Sequence, residues 1–324
     1  MAPQSHSQEK RQGIITAMSR LVISICLCLV IFIGCGESKR EKDTATVTEN
    51  QGERPSITIG LIPERNIFKQ LDRYEPLADY LSKKIGADIK LKVLTRYGNI
   101  IDNFVSAGLD GAFFGSFSYT LAHAKLNLEP IARPESADGI STYYGLIMAR
   151  KDGGIKTVKD MQGKTFAFVD RATTAGYLLP LAYFKQNGID DYEKFLGETY
   201  FAGTHEAAIY DLLNKKADVC AAKNTVFTKL AARDKRLTTE LILLTRSPDV
   251  PENGLAIRSD FDGVIKEELK KTLLNMDKNS EGINVLKKFG AKKFIETTNE
   301  DYDSVYKYVK EIGLSLATYN YRNE

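Results

Sequence analysis

From Ser56 onward the chain alternates short apolar runs with segments whose apolar residues recur at helical spacing. That is the pattern of an α/β protein whose sheets are covered on both faces. Residues 57–62 predict a first strand, and residues 75–85 a helix that Gly86 stops at the position after its last turn. A strand over 88–94, a helix over 97–107 closed by Gly108, a strand over 111–114 and a helix over 116–125 follow. The same order then returns: strand 165–169, helix 174–186, strand 195–201, helix 205–215, strand 217–222 and helix 224–233.

One part of the two runs can be laid residue on residue at a shift of 108. Ile101, Phe104, Val105, Asp110 and Ser116 fall on Ile209, Leu212, Leu213, Asp218 and Asn224, and Tyr97 falls on His205. Two similar lobes are the expectation. Lobe one would hold residues 56–145 plus 245–324 and lobe two residues 146–244, with the extended apolar stretches 143–150 and 241–258 as the crossings. A cleft between two such lobes is where ligands bind.

The N-terminus reads as an address. Residues 21–33 are almost free of polar groups, follow Arg20 and are too short to span a ~30 Å hydrocarbon core. They suit the apolar region of a signal peptide. Phe32-Ile33-Gly34-Cys35 resembles the bacterial lipobox, with Phe32 where Leu is usual. Residues 1–34 are thus expected to be a lipoprotein-type signal, Cys35 the lipidated residue, and 35–55, polar and aperiodic, a flexible tether that holds the body near a membrane. An ordinary cleaved signal and a short uncleaved anchor are the alternatives.

Composition narrows the function classes. The net charge is +3, and Lys10, Arg11 and Arg20 precede Cys35, so the body lacks the polycationic surface that nucleic-acid binding requires. Cysteines at 26, 28, 35 and 220 build neither a disulfide framework nor a CxxC zinc site in the body, and no His cluster, HExxH, GxSxG or Walker loop is present. No metal or cofactor is expected. The one enzymatic alternative is Cys220 as nucleophile with His205 as base, but a thiol in the middle of an apolar strand behaves as an inert hydrophobe.

The most informative segment runs from Phe166 to Pro180. A buried strand enters a small turn, Asp170-Arg-Ala-Thr173-Thr174-Ala175-Gly176, which opens an amphipathic helix. First-turn N–H groups are unpaired and carry partial positive charge, so an anion there gains hydrogen bonds, and Thr173 and Thr174 add hydroxyls. The plainer alternative is that one Thr is an N-cap. Pro180 should kink this helix unless it marks a new first turn.

This segment resembles the anion loop of the PhnD-like phosphate/phosphite/phosphonate-binding proteins of ABC importers. Four further segments are similar to that family in the same order: Ile57-Thr-Ile-Gly-Leu-Ile-Pro63, Tyr97-Gly-Asn-Ile-Ile, Asp110-Gly-Ala-Phe-Phe-Gly115-Ser-Phe-Ser-Tyr119, and Gly203-Thr-His205-Glu-Ala-Ala with Asp218-Val. The resemblance implies a two-lobe, type II periplasmic-binding-protein fold. It also implies that Thr173, Thr174 and the Ala175 amide grip the anion from lobe two, that Tyr97 and Tyr143 donate hydroxyls from lobe one, and that His205 adds a ring N–H. Ser116, in the turn after the third strand, joins them as a candidate. Hydrogen bonds to a charged acceptor contribute roughly 1.5–3 kcal/mol each, so such a cage binds tightly without Arg.

Members of that family that take aminoalkyl phosphonates carry carboxylates for the ligand's ammonium in two segments. Here those segments read Lys223-Asn224-Thr225 and Pro251-Glu252-Asn253. Asn224, Thr225 and Asn253 cannot neutralise an ammonium, so the expected ligand is an amine-free phosphorus oxyanion: phosphate, phosphite or a short alkylphosphonate. Glu252 would restore the amine reading if the alignment slips by one. The resemblance implies as partners an ABC permease with its ATPase, and a membrane through the lipid anchor; a ligand-sensing module for a membrane signalling partner is the alternative.

Overall fold

The computed structural model describes residues 54–64 and 66–323, so the signal peptide, Cys35 and nearly all of the tether lie outside the described residues. Among the described residues no helix is long and apolar enough to cross a membrane.

The chain opens with strand β1 (Ser56–Leu61), helix α1 (Ile67–Ile85), β2 (Asp88–Val93), the short α2 (Asn99–Asp102), β3 (Gly111–Phe114), α3 (Ser116–Leu126) and β4 (Leu128–Glu135). Helix α1 starts eight residues before the stretch its pattern predicts, with the Asn66 side chain accepting from the Phe68 N–H at 3.1 Å. Pro76 lies inside the helix, where Tyr74, Leu77, Ala78 and Leu81 bury one face. Helix α2 is shorter than expected: after Asp102 the chain turns irregularly to Gly108, which takes φ +63°.

The chain then passes through β5 (Thr142–Tyr143), β6 (Gly145–Arg150) and β7 (Thr165–Phe168) into a wide π-wound turn, Thr174–Leu178, continued by α4 (Leu179–Gln186). Pro180 has no N–H to contribute, and it falls in the first turn of α4, where the wide turn gives way to α-helix, so it marks a new first turn, the alternative to a kink. Gly176 belongs to this turn because a Cβ there would lie 2.4 Å from Val169 and 2.8 Å from Thr173 Oγ1.

Next come α5 (Tyr192–Phe195), β8 (Glu198–Phe201), α6 (His205–Leu213), β9 (Val219–Lys223), α7 (Asn224–Ala231), α8 (Arg236–Glu240), β10 (Leu241–Arg246), β11 (Val250–Pro251) and β12 (Gly254–Arg258). The strand predicted over 195–201 begins only at Glu198, its first residues being the end of α5, which Asp191 caps. Helices α9 (Gly263–Leu274) and α10 (Ser280–Phe289), strand β13 (Lys293–Glu296) and α11 (Asp303–Glu311) complete the chain.

Two sheets result. The six-stranded sheet has the order β13-β4-β12-β3-β1-β2 and the five-stranded sheet the order β10-β6-β9-β7-β8. In each, three parallel strands carry an antiparallel neighbour: β12 beside β3-β1-β2, and β6 beside β9-β7-β8. Asp110 and Asp218, matched by the 108-residue shift, play one part in both. The Asp110 carboxylate accepts from Thr58 N–H at 2.9 Å and that of Asp218 from Thr165 N–H at 3.0 Å. The two connections between the sheets lie side by side as a two-stranded antiparallel ribbon, β5 with β11, pairing Tyr143 with Val250.

Candidate functional site

In a parallel sheet, side chains that follow the strands' carboxyl ends gather at one edge. Here the edges of both sheets face the same point. Ile62 and Glu64 follow β1, Gly115 and Ser118 follow β3, Tyr97 follows β2, Thr173 and Thr174 follow β7, and Lys223 ends β9. With Tyr143, Ala172, His205 and Asn253 they line a small, tight cavity.

Tyr97 is buried, and its hydroxyl has no hydrogen-bond partner among the described residues. A buried hydroxyl left unpaired costs on the order of 1–3 kcal/mol, so its presence in a cavity wall points to a missing acceptor. Burial pushes this phenol well above its ordinary value, with Glu64 adding to the effect, so it stays a donor. His205 opens α6 behind the Thr204 cap. Its Nδ1 accepts the Lys223 backbone N–H at 3.2 Å, which leaves the ring proton on Nε2. Burial holds the imidazole neutral, lowering its pKa to about 3 despite the opposing pull of Glu64.

The two threonines differ. Thr174 Oγ1 accepts the N–H of Phe117, in the first turn of α3, at 2.8 Å and so keeps its own proton to give. Thr173 donates to the Asp170 carbonyl at 2.6 Å, so it can serve an anion only by turning away from that carbonyl. Asp170 itself accepts from Ala172 N–H at 2.9 Å and from the Asn323 amide at 2.8 Å. The C-terminal tail thereby braces the turn, with the Tyr319 hydroxyl donating to Arg171 O at 2.9 Å.

Thus Tyr97, Tyr143, Thr173, Thr174, His205 and Asn253 come together in one cavity, while four other candidates do not line it. Ser116 spends its hydroxyl proton on the Pro251 carbonyl at 2.6 Å. The Cα and Cβ of Ala175 lie toward Gly145 and border a separate groove, while the group that the resemblance names is its backbone amide. Asn224 accepts from Tyr144 N–H at 3.0 Å, and it and Thr225 line a larger outer cavity. Cys220 is fully buried on β9 with its thiol pushed up by burial and does not line the cavity.

Sequence reasoning expected a wall of neutral donors, but the cavity wall also contains a charged cluster. The Lys223 ammonium is buried and donates to Glu64 Oε1 at 2.9 Å, to Asn253 Oδ1 at 2.9 Å and to Glu252. It lies 4.2 Å from the centre of the Tyr143 ring, within cation–π reach. Burial opposes both charges. Glu252 and Glu64 nonetheless hold the ammonium above its ordinary range, and Lys223 and Arg73 hold the Glu64 carboxyl far below its own. Glu64 went unnoticed although one signal was available: an acid immediately after Ile62-Pro63, where a buried strand leaves its sheet. Lys223 offered the same signal, a charge ending the apolar run Val219–Ala222. Among the described residues no group of three or more His, Cys, Asp or Glu side chains could hold a metal ion.

Two sheets of matching topology, joined by a paired ribbon and closing on a donor-lined cavity, define a two-lobe solute-binding protein of the type II periplasmic class. A profile of the family described as ABC transporter, phosphonate, periplasmic substrate-binding protein matches residues 59–302, and the chain belongs to this family. The phosphate-import protein PhnD of Mycolicibacterium smegmatis is 28% identical over 204 residues, 60% of this chain and 61% of that protein. The chain therefore spans less than two thirds of the length of this relative. The phosphonates-binding periplasmic protein of Escherichia coli is 25% identical over 245 residues, 74% of this chain and 71% of that protein. The fold is similar to that of PhnD1 from Prochlorococcus marinus in complex with methylphosphonate. That structure superposes with TM-score 0.71 at 22% identity, covering 79% of this chain and 98% of the other.

Proposed function

We propose that this protein captures a small phosphorus oxyanion without an amine (phosphate, phosphite or a short alkylphosphonate) and delivers it to an ABC permease and its ATPase. The observation that carries the reading is the unpaired, buried Tyr97 hydroxyl in the same wall as His205, Thr174 and the first turn that follows Thr173. Tyr97 and Thr174 give hydroxyl protons, His205 gives Nε2–H, and the first-turn amides add N–H donors. Four or more charge-assisted hydrogen bonds of roughly 1.5–3 kcal/mol each supply the affinity. Lys223 does not supply net charge to the anion, because Lys223 and Arg73 together balance the two carboxylates Glu64 and Glu252.

Residues 56–145 plus 245–324 and residues 146–244 act as the two lobes, the β5–β11 ribbon as hinge, and Cys35 as lipid anchor on the exported side of the membrane. Thr174 of one side and Phe117 of the other already touch, as do Lys223 and Glu64, so ligand closes the lobes along an existing seam. Such a protein changes no bond in its ligand. Calorimetry of residues 54–324 with phosphate, phosphite, methylphosphonate and sulfate tests the reading. One-to-one binding of at least one of the three phosphorus anions, tighter than sulfate, is expected; heat from none of them would overturn it.

A further inference from the structure

The cluster around Lys223 has the form of a receptor for a primary ammonium. An –NH₃⁺ has three donors, and here each has an acceptor: Glu64 Oε1, Glu252 Oε1 and Asn253 Oδ1, with the Tyr143 ring covering the remaining face. The acceptors are themselves fixed. Asn253 donates through Nδ2 to Glu64 Oε1 at 2.9 Å and through its backbone N–H to Glu252 Oε1 at 2.8 Å, and Arg73 lies 3.8 Å from Glu64 Oε2. Burying an ion pair is costly, and apolar residues of similar volume often serve stability as well, so stability alone does not account for this one.

Its position supplies a reason. Lys223 and Glu64 line both the oxyanion cavity and the larger outer cavity, so the ammonium stands at the partition between them. A substituent leaving the oxyanion in that direction meets an ammonium that already occupies both carboxylates.

We propose that Lys223 is a built-in ammonium occupying a subsite for primary amines, and that it sets the protein's preference for oxyanions that carry none. Removing the side chain exposes Glu64, Glu252 and Asn253 as an empty amine site next to the anion cavity. This rests on the oxyanion reading for its consequence but not for the subsite itself, which a simple alkylammonium can probe.

The test is Lys223→Ala in the body, residues 54–324, alongside Lys223→Met, whose stem still fills the space. Thermal unfolding is followed with ethylammonium chloride against sodium chloride at equal ionic strength. Both variants are expected to melt below wild type. Ethylammonium should raise the melting temperature of Lys223→Ala, or its refolding yield if it does not fold unaided, while leaving Lys223→Met and wild type as sodium does. In calorimetry, Lys223→Ala should shift the ratio of 2-aminoethylphosphonate to methylphosphonate affinity at least tenfold toward the amine. Equal responses of Lys223→Ala to ethylammonium and sodium would overturn the subsite, whatever the phosphonates do. An unchanged affinity ratio would overturn the specificity role. Failure of the oxyanion reading has a different signature, wild type binding no phosphorus anion.

Discussion

Tyr97 and His205 meet edge to face, with ring centroids 6.0 Å apart and planes at 77°. They are the residues that the 108-residue shift places at matching positions of the two runs of strands and helices. The geometry that makes them equivalent, each at the carboxyl edge of its own sheet, also brings them into one wall when the edges face each other.

Because the Tyr97 hydroxyl has no partner among the described residues, the account has it stabilise the complex rather than the fold. Tyr97→Phe should lower oxyanion affinity about tenfold or more, the equivalent of about 1.4 kcal/mol. Its melting temperature should be equal to or above that of wild type. Calorimetry paired with thermal unfolding checks both halves; lost stability without lost affinity would refute the assignment.

Thr174 should behave differently, since its Oγ1 also accepts Phe117 N–H across the cavity. Thr174→Val strands a buried donor and should cost about 1–3 kcal/mol in stability as well as tenfold in affinity. A denaturant titration of the variant measures the first loss and calorimetry the second.

Stability should fall on acidification. His205 is held to about 3 when folded against 6.5 when exposed, so between these values the unfolded chain binds a proton that the folded one does not. Stability then rises with pH, by up to about 1.4 kcal/mol per unit from this group. Glu64 has its folded value depressed below 4.5, and its contribution is lost further down, as pH falls through the carboxylate range. Melting temperatures should therefore fall from about pH 6.5 to 4.5, the range that His205 governs. His205→Gln should flatten the portion between about 6.5 and 4.5; a variant with the wild-type slope there would contradict the buried neutral imidazole.

The tail is a brace for the anion turn. Asn323 bonds both Asp170 and Arg171 N–H, and Tyr319 caps the Arg171 carbonyl. Asn323→Ala should weaken oxyanion binding several-fold with a smaller effect on unfolding, as expected when a turn is loosened rather than a core opened. Equal affinity for variant and wild type would show that the turn holds itself.

Much of this was legible in the sequence because burial and periodicity are local. Asp110 and Asp218 repeat at a fixed shift because each ties down the same strand residue in its own sheet. What failed was chemistry decided across the cleft. Ser116 reads as a free hydroxyl until Pro251 arrives from β11 to take its proton. Lys223 and Glu64 are separated by 159 residues, and neither alone reveals that a buried charge will be matched. Pro180 left two readings open in sequence, a kink or a new first turn, and only the packing around it selects the second.

The most direct test of the central claim is a crystal structure of the body grown with phosphite or methylphosphonate. The account predicts a tetrahedral anion between the sheets, within hydrogen-bond distance of Tyr97 Oη, Thr174 Oγ1 and His205 Nε2, with Lys223 still bound to Glu64 and Glu252. An anion seated elsewhere, or one drawing Lys223 away from both carboxylates, would contradict it.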